Sequence, residues 1–272
     1  MGVPHRLIPT AKELATPSST IFFEESSLSL RFHEIAESGH RILNPLTPAK
    51  LDLLGEICRL RPGMRQLDLA CGAGEMLAQW SARYDIEGVG VDLSKVFLDA
   101  AVARAAELGV TSRLRFVHGD AADHVAESEA YDVVSCVGAT WIGGNLAGTI
   151  ELMRPALRPG GLLVIGEVFW ISEPPEEVCE ANGMARTDYA SLIGTNAVFE
   201  SAGFELIEMV LSDADSFDRY VASQWRTMSD WLREHPTDPD ATEFRDLLEV
   251  ARRAHLLSRN HLGWGVFVLR AI

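Results

Sequence analysis

The chain has 272 residues, of which 47% are hydrophobic and 23% charged, so it has the composition of a globular protein with one large domain or two small ones. Lys and Arg number 24 against 39 Asp and Glu, and the resulting formal net charge of −15 disfavours nucleic acid and anionic membrane surfaces as partners. No segment approaches the roughly 18 apolar residues of a membrane span, and the first twenty residues lack the apolar core of a signal peptide, so we expect a cytoplasmic protein.

Strand and helix patterns alternate along most of the chain. Thr47 and Pro48 predict the start of a helix, which leads to a strand over 66–70, a glycine turn and a helix from Glu75. The further predicted strands are 88–92, 113–117, 131–137, 161–169 and 204–211, and the helices between them are 94–108, 146–157 and 189–202. Because this alternation is typical of βαβ units with right-handed crossovers, we predict a doubly wound α/β sheet.

The C-terminal part has a different pattern. Two apolar and aromatic runs between 216 and 258 repeat at three- and four-residue spacing, and Pro236 and Pro239 separate them. This pattern predicts a helical hairpin, which is followed by a final strand over 263–272. The predicted organisation is an N-terminal segment, 1–46, and one domain, 47–272, with a helical insertion at 212–261.

Neither the cysteines nor the histidines indicate a metal site. The four cysteines include no CxxC pair, and the eight histidines include no HExxH motif. Cysteines at this density fit free thiols in a reducing compartment. We therefore expect neither a bound metal nor a disulfide framework.

The glycine turn in LDLACGAGEM has two interpretations. Asp92 lies twenty residues beyond Gly72, where the ribose-binding acid of a nicotinamide-dependent oxidoreductase would stand. In that register Glu75 replaces the third glycine of the dinucleotide fingerprint, and a carboxylate at this helix N-terminus would face the pyrophosphate, which argues against NAD. A ligand with a ribose and a positive charge is favoured instead by four carboxylates expected at one sheet edge: Asp68, Glu75, Asp92 and Asp120.

Five segments between Arg61 and Glu167 resemble, in order, the motifs of class I S-adenosylmethionine-dependent methyltransferases: LDLACGAGE, GVGVDLS, HGDAAD, YDVVSCVGA and LRPGGLLVIGE. Ala70 stands where that pattern usually has its first glycine. Beyond these motifs, HRILNPLT, GATWIGG and GWGVFVL resemble a bacterial family of largely uncharacterised small-molecule methyltransferases. The resemblance implies a Rossmann-like methyltransferase fold with a seven-stranded, mostly parallel sheet. Its last strand would be antiparallel, and the helical hairpin would lie between strands six and seven.

The resemblance also implies S-adenosyl-L-methionine as the cofactor and a set of residues that bind it: Asp68, Ala70, Cys71, Gly72, Gly74, Asp92, Leu93, Asp120, Ala121, Val137 and Gly138. Within this set Asp92 would accept hydrogen bonds from the ribose hydroxyls, with Leu93 beside the adenine. Asp120 would bind the adenine amino group, while Val137 and Gly138 would border the methionyl part. Cys71 is interpreted as a small apolar residue, not as a nucleophile.

The acceptor is expected to be a small molecule, and O, N, S and C all stay open as the methylated atom. Methyl transfer from a sulfonium is an in-line displacement, so alignment of the reacting atoms is the main requirement and a catalytic residue is optional. If a general base is used, Glu167 at the end of the fifth predicted strand is the best-placed candidate, and His40 is a second. His255 and His261 are weaker candidates, because most single histidines have structural roles.

The hairpin and the segment HRILNPLT are predicted to form a lid over the acceptor site. Aromatic side chains would then line an acceptor pocket: Trp141, Trp170, Tyr220, Trp225 and Trp264. Arg41 would bind the cofactor carboxylate or lie on the surface. The aromatic stripe also fits the inner face of a hairpin that packs on itself or against a second chain, so a homodimer stays open.

Three other functions are weighed against this prediction. A nicotinamide-dependent oxidoreductase would need a catalytic pair, and the sequence has no YxxxK motif. A protein that binds S-adenosylmethionine without turnover would differ by lacking an open acceptor pocket. An RNA or protein acceptor is disfavoured by the net charge, although Arg252, Arg253 and Arg259 form a local basic group.

Overall fold

The computed structural model of the protein describes residues 27–272. The first twenty residues, where we predict no signal peptide, and most of the predicted segment 1–46 lie outside the described residues. The helices are α1 Ser27–Glu37, α2 Pro48–Ile57, α3 Glu75–Tyr84, α4 Lys95–Glu107, α5 Leu146–Met153, α6 Glu176–Asn182, α7 Leu192–Ser201, α8 Ala214–Glu234 and α9 Ala241–Ser258. The strands are β1 Arg65–Leu69, β2 Glu87–Asp92, β3 Leu114–His118, β4 Tyr131–Val137, β5 Leu157–Trp170, β6 Phe204–Leu211 and β7 Leu262–Ala271.

These seven strands form one sheet in the order β3-β2-β1-β4-β5-β7-β6. Neighbouring strands from β3 to β5 run parallel, while β7 pairs antiparallel with both β5 and β6. The predicted fold class is thereby confirmed, including the antiparallel last strand. The strand order reverses between β1 and β4, and in such sheets ligands bind at the carboxyl ends of the strands beside that point.

Helices cover both faces of the sheet. On one face Ile150 of α5 and Phe199 of α7 pack with Phe267 of β7, and on the other Leu54 of α2 and Trp80 of α3 form a second cluster. All five side chains are at most 1% exposed. Because both faces are buried, β4 is an almost unbroken run of buried residues, as expected for a central strand of a parallel sheet.

The chain between β6 and β7 forms the predicted helical hairpin, α8 and α9. α1, which the sequence analysis does not predict, packs on this hairpin. The rings of Phe32 in α1 and Phe244 in α9 meet edge to face at 5.5 Å between centroids, beside the fully buried Met228 of α8. Arg31 donates hydrogen bonds to Asp238 in the connection between α8 and α9, at 2.7 Å. α1 and the hairpin therefore form one helical layer.

Prolines account for the largest differences between predicted and observed boundaries. The helix predicted over 146–157 ends at Met153, because Pro155 lies in a 3₁₀ turn that follows it, and β5 begins at Leu157. α6 lies in a Pro- and Glu-rich segment and, like α1, has no counterpart among the predicted elements.

Candidate active site

The turn after β1 has a left-handed backbone and packs closely against neighbouring residues. Ala70, Gly72 and Gly74 all have positive φ, at 58°, 53° and 65°. A Cβ atom at Gly72 would lie 2.7 Å from the side chain of Leu43, so a larger residue would displace the segment that precedes α2. Glycine at position 72 therefore meets two requirements, the left-handed backbone and the space beside Leu43.

Asp92 at the end of β2 holds this turn in place. Its carboxylate accepts hydrogen bonds from the Gly72 amide at 2.7 Å and from the Ser94 amide at 2.8 Å, and the residue is 9% exposed. Burial raises the pKa of Asp92, although both amide donors oppose the shift. The Asp92 carboxylate thus links the glycine turn to the start of α4 through hydrogen bonds. The same residue also borders a cavity.

A cavity of about 410 Å³ opens at the carboxyl ends of the strands. Its walls include many of the residues predicted to bind the cofactor: Ala70, Gly72, Asp92, Leu93, Asp120, Ala121, Val137 and Gly138. Four residues predicted for catalysis or acceptor binding also line it: Trp141, Glu167, Tyr220 and Trp264. The two predicted sets therefore border one continuous space.

The predicted group of four carboxylates is only half formed, because Asp68 and Glu75 do not line this cavity. Glu75 is 5% exposed and bound in a bidentate ion pair to Arg104, at 2.7 and 2.9 Å. Since Arg104 neutralises this carboxylate away from the cavity, the argument against NAD that rests on Glu75 was wrong in its physical basis. Asp68 accepts a hydrogen bond from Ser135 at 2.6 Å, and burial raises its pKa to about 7.

Two further members of the predicted cofactor set, Cys71 and Gly74, also lie outside the cavity lining. Burial is the main cause that raises the pKa of the Cys71 thiol well above its usual value, which agrees with an unreactive side chain. Gly74 caps α3, and a Cβ atom there would lie 2.7 Å from Ala101. Both residues therefore belong to the turn but lie on the side that does not face the cavity lining.

Two aromatic residues predicted to line the acceptor pocket lie elsewhere, and this corrects the prediction. Trp170 is not among the lining residues: its indole donates to the Arg186 carbonyl at 2.9 Å, and its ring packs on Tyr189, which does line the cavity. Trp225 is not among the lining residues either and packs against His255, which does line the cavity. The side chain of Trp170 leaves the site because β5 continues past Glu167 into a bridge with Ser191.

Arg41 and His40 also lie outside the cavity lining. Arg41 is exposed and pairs with Glu107 at 3.1 Å, which agrees with the surface alternative of the prediction and not with a contact to the cofactor carboxylate. His40 lies with Nδ1 2.6 Å from Glu37 and Nε2 2.5 Å from Ser223. Both ring nitrogens of His40 are therefore engaged, so this histidine is a poor general base.

Glu167 lines the cavity with a buried carboxylate. Thr140 donates to its Oε2 at 2.7 Å and the Val168 amide donates to its Oε1 at 2.8 Å, while the residue is 6% exposed. Burial raises the pKa of Glu167 to about 7, against the effect of these two donors. A carboxyl group that titrates near neutral pH can exchange a proton with a bound molecule.

Several lining residues were missed by the sequence analysis, and most lie on the helical layer: His33, Glu37, Phe217, Val221 and Gln224. The buried carboxylate of Glu37 accepts hydrogen bonds from the Tyr220 hydroxyl and, at 2.7 Å, from the Gln224 side chain. Burial and the charge of Glu37 raise the pKa of Tyr220 well above its usual value. No local motif marks Glu37, because its partners come from a helix far away in sequence.

The described residues contain no cluster of His, Cys, Asp or Glu that could hold a metal ion. Among the same residues, no helix is long and apolar enough to cross a membrane.

The sequence and structure are similar to those of known methyltransferases. A model for a methyltransferase domain matches residues 67–161. The Escherichia coli protein YjhP, which is uncharacterised, is 45% identical over 244 residues, with 89% of this chain and 98% of YjhP covered. An S-adenosylmethionine-dependent methyltransferase from Geobacter sulfurreducens, solved with S-adenosyl-L-homocysteine, is 46% identical and superimposes with a TM-score of 0.84 over 89% of this chain and 98% of its own. The chain belongs to the S-adenosylmethionine-dependent methyltransferases.

This methyltransferase also has more distant relatives with stated activities. The 27-O-demethylrifamycin SV methyltransferase of Amycolatopsis mediterranei is 26% identical over 188 residues, and the alignment covers 67% of each chain. The family membership establishes S-adenosylmethionine as the cofactor and disfavours the nicotinamide-dependent alternative.

Proposed function

We propose that this methyltransferase transfers the methyl group of S-adenosylmethionine to a small-molecule acceptor that is bound in the cavity beside Glu167. The observation that carries the proposal is the continuity of the cavity. Asp92 and Gly72 border one part of it, and Glu167 and Trp264 border another, with no described element between the two sets. Cofactor and acceptor can therefore meet within one cavity.

The residues at the sheet edge fit the cofactor. Asp92 would accept hydrogen bonds from the two ribose hydroxyls, and the half-exposed Leu93 would pack against the adenine. Asp120 and Ala121 would bind the adenine edge, while Val137 and Gly138 would border the methionyl part. Gly72 borders the cavity in the left-handed backbone conformation, and the space that its side chain would need is filled by Leu43.

The bound cofactor supplies an electrophilic methyl group on a sulfonium. The protein has to align the acceptor with that group and remove a proton if the acceptor is a neutral alcohol, phenol or amine. Glu167 is proposed to take this proton, since it is buried at the cavity wall and its pKa of about 7 makes it available as a base near neutral pH. Thr140 and the Val168 amide fix the orientation of its carboxylate.

The charges of the lining favour a neutral or cationic acceptor. Four carboxylates border the cavity: Glu37, Asp92, Asp120 and Glu167. The lining has one Lys or Arg side chain among the described residues, Arg259, and this guanidinium is bound to Asp218 at 2.6 Å. An anionic acceptor would therefore find no free cation in the described lining and would be repelled by the carboxylates.

The enclosing helices favour a small acceptor over RNA or protein. α1, α8 and α9 all contribute side chains to the cavity wall, among them His33, Tyr220 and His255. A macromolecular acceptor would have to insert a single side chain or base past this layer, and the net charge of −15 disfavours RNA. The rifamycin methyltransferase is a relative whose name states transfer to oxygen of a small molecule.

Transfer of tritium from methyl-labelled S-adenosylmethionine tests the proposal. The purified enzyme is incubated with fractions of a bacterial extract that contain small molecules, RNA or protein, and with Glu167→Gln as the comparison. We expect label in the small-molecule fraction with the wild type and a strong decrease with Glu167→Gln. Label that enters RNA or protein alone would contradict the proposed acceptor class.

A further inference from the structure

His255 is the lining residue that the proposed reaction leaves without a role. It lies in the last part of α9, and its side chain is 10% exposed. It borders the cavity together with Phe217 and Ser258. A buried, polar and aromatic side chain at this position is a candidate contact for the acceptor, provided that one of its ring nitrogens is available.

One ring nitrogen of His255 is held by the opposite helix. Nε2 lies 3.0 Å from Oδ1 of Asp218 in α8, and Arg259 donates to the other oxygen of Asp218 at 2.6 Å. Burial opposes ionisation of Asp218, but the hydrogen bonds from Arg259 and His255 outweigh it and lower the pKa. An ionised Asp218 can only accept, so Nε2 of His255 carries a proton, and in the uncharged form of the imidazole the lone pair lies on Nδ1.

The other ring nitrogen is open to a ligand. No described residue makes a hydrogen bond to Nδ1 of His255, and Nδ1 is not among the buried polar atoms of the described residues that lack a partner. The ring of His255 borders the cavity, and among the described residues Nδ1 is left to a ligand. A lone pair in an apolar, aromatic wall selects for a hydrogen-bond donor.

The ring is held in one orientation by its packing. Phe217 meets it edge to face at 5.5 Å between centroids, and Trp225 does so at 5.7 Å from another side. Arg252 lies over the Trp225 ring at 5.6 Å and so encloses this group further. The imidazole is thus preorganised, and little side-chain entropy is lost when a ligand binds it.

We propose that Nδ1 of His255 accepts a hydrogen bond from a hydroxyl of a neutral, phenol-like acceptor other than the hydroxyl that Glu167 deprotonates, and that this bond selects the acceptor class. The inference rests on the proposed function and deepens it by naming the substrate class. The flat aromatic ring of a phenol suits walls that include Phe217 and Trp264. Its hydroxyl donates more strongly than an aliphatic alcohol, and its neutral form avoids the surrounding carboxylates.

Asp218 acts in this proposal as a positioning residue, because it fixes the tautomer of His255 and does not itself border the cavity. In Asp218→Asn the side-chain amide can donate to Nε2, which moves the imidazole proton to Nδ1. The nitrogen that faces the ligand then changes from acceptor to donor. A merely structural role of the pair would be insensitive to this exchange of tautomers.

The test uses two probes of nearly equal shape, p-cresol and p-xylene, which differ by a hydroxyl in place of a methyl group. Dissociation constants are measured by NMR titration of the full-length protein saturated with S-adenosyl-L-homocysteine. The variants are His255→Phe, which keeps an aromatic ring, and Asp218→Asn. His235→Phe is the matched control, since His235 is exposed, packs on Trp231 and lies outside the cavity lining.

We expect His255→Phe and Asp218→Asn to weaken p-cresol binding by about threefold to tenfold, the range of one net hydrogen bond, with p-xylene binding unchanged. In the wild type the ¹⁵N resonance of His255 Nδ1 should shift with p-cresol and stay in place with p-xylene. His235→Phe should change none of these values. The melting temperature and the affinity for S-adenosyl-L-homocysteine of each variant report separately on folding and on the cofactor site.

Three results would overturn the inference: equal changes for both probes, no change for either probe, or no shift of Nδ1 with p-cresol. These results would leave the proposed function intact, because tritium transfer to a small molecule is measured independently. Failure of that transfer with preserved p-cresol selectivity would instead count against methylation of a small molecule and not against the ligand contact.

Discussion

Glu167 is the residue on which the proposed chemistry depends most. Its carboxylate is buried at the cavity wall, and its pKa is raised to about 7 by that burial. The ionised form is the base, so kcat/KM for a neutral acceptor should rise as the pH increases towards about 7 and then level off. A pH profile of the free enzyme measures this pKa directly.

Substitution of Glu167 by Gln keeps the hydrogen bond from Thr140 possible and removes the base. We expect kcat to fall by about 10² to 10⁴ for an alcohol or phenol acceptor, with unchanged affinity for S-adenosyl-L-homocysteine. The increase of kcat/KM with pH up to about 7 should also be absent in Glu167→Gln. An unchanged kcat, or loss of cofactor affinity, would mean that Glu167 has a structural role.

A substitution of Trp141 should affect acceptor binding without affecting cofactor binding. It follows β4, lines the cavity and is 39% exposed. Trp141→Ala should raise KM for the acceptor while the dissociation constant of S-adenosyl-L-homocysteine, measured by calorimetry, stays the same. Loss of both affinities together would place Trp141 in the cofactor site.

Asp68 should make stability depend on pH. Its pKa is raised to about 7 in the folded state, against about 4 in an unfolded chain, so the folded state binds the extra proton between these values. The stability contributed by Asp68 is thus present below pH 4 and lost as the pH rises to about 7. The free energy of unfolding of Asp68→Asn relative to wild type should increase over this interval and stay level above it. Urea denaturation at several pH values measures the free energy of unfolding of both proteins. A difference between them that does not change with pH would contradict the raised pKa of Asp68.

At the scale of elements, the layer of α1, α8 and α9 is held by its own core. Phe244 is fully buried there and contacts Phe32 and Trp231. Phe244→Ala should cost about 3 to 5 kcal/mol in this layer, because an aromatic side chain leaves a cavity. Amide exchange should accelerate in α8 and α9 and remain slow in β4. Equal acceleration in β4 would show that the layer and the sheet unfold as one unit.

The sequence predicts most of the elements that carry a local period. β4 and β6 have the predicted bounds, and the hairpin follows from its apolar spacing. α6 has only seven residues, which is too short for a helical period to stand out. α1 was missed although Leu28, Phe32, Ile35 and Ala36 repeat at helical spacing and pack in the helical layer, so its pattern was there to be found.

The residues of the site also divide into those that the sequence predicts and those that it does not. Asp92, Asp120 and Glu167 were predicted because each lies near the carboxyl end of a strand, at the edge that binds ligands. Glu37 was not predicted, since its role depends on contacts with a helix almost two hundred positions away. Trp170 and Trp225 were misplaced because residue type and spacing do not determine which side of an aromatic residue faces a cavity.

At the scale of the whole molecule, the proposed function assigns the cofactor to the edge of the sheet and the acceptor to the wall formed by the helical layer. The strand order reverses between β1 and β4, which places Asp92 and Glu167 on opposite sides of that point. The helical layer then borders the same cavity. A single chain can thus complete both halves of the site.

A crystal structure of the complex with S-adenosyl-L-homocysteine tests the central claim most directly, because it locates the sulfur atom relative to both halves of the cavity. The account predicts that Asp92 accepts hydrogen bonds from the ribose hydroxyls and that the sulfur faces the space lined by Glu167 and Trp264. A ribose bound elsewhere, or a sulfur separated from Glu167 by protein, would contradict it.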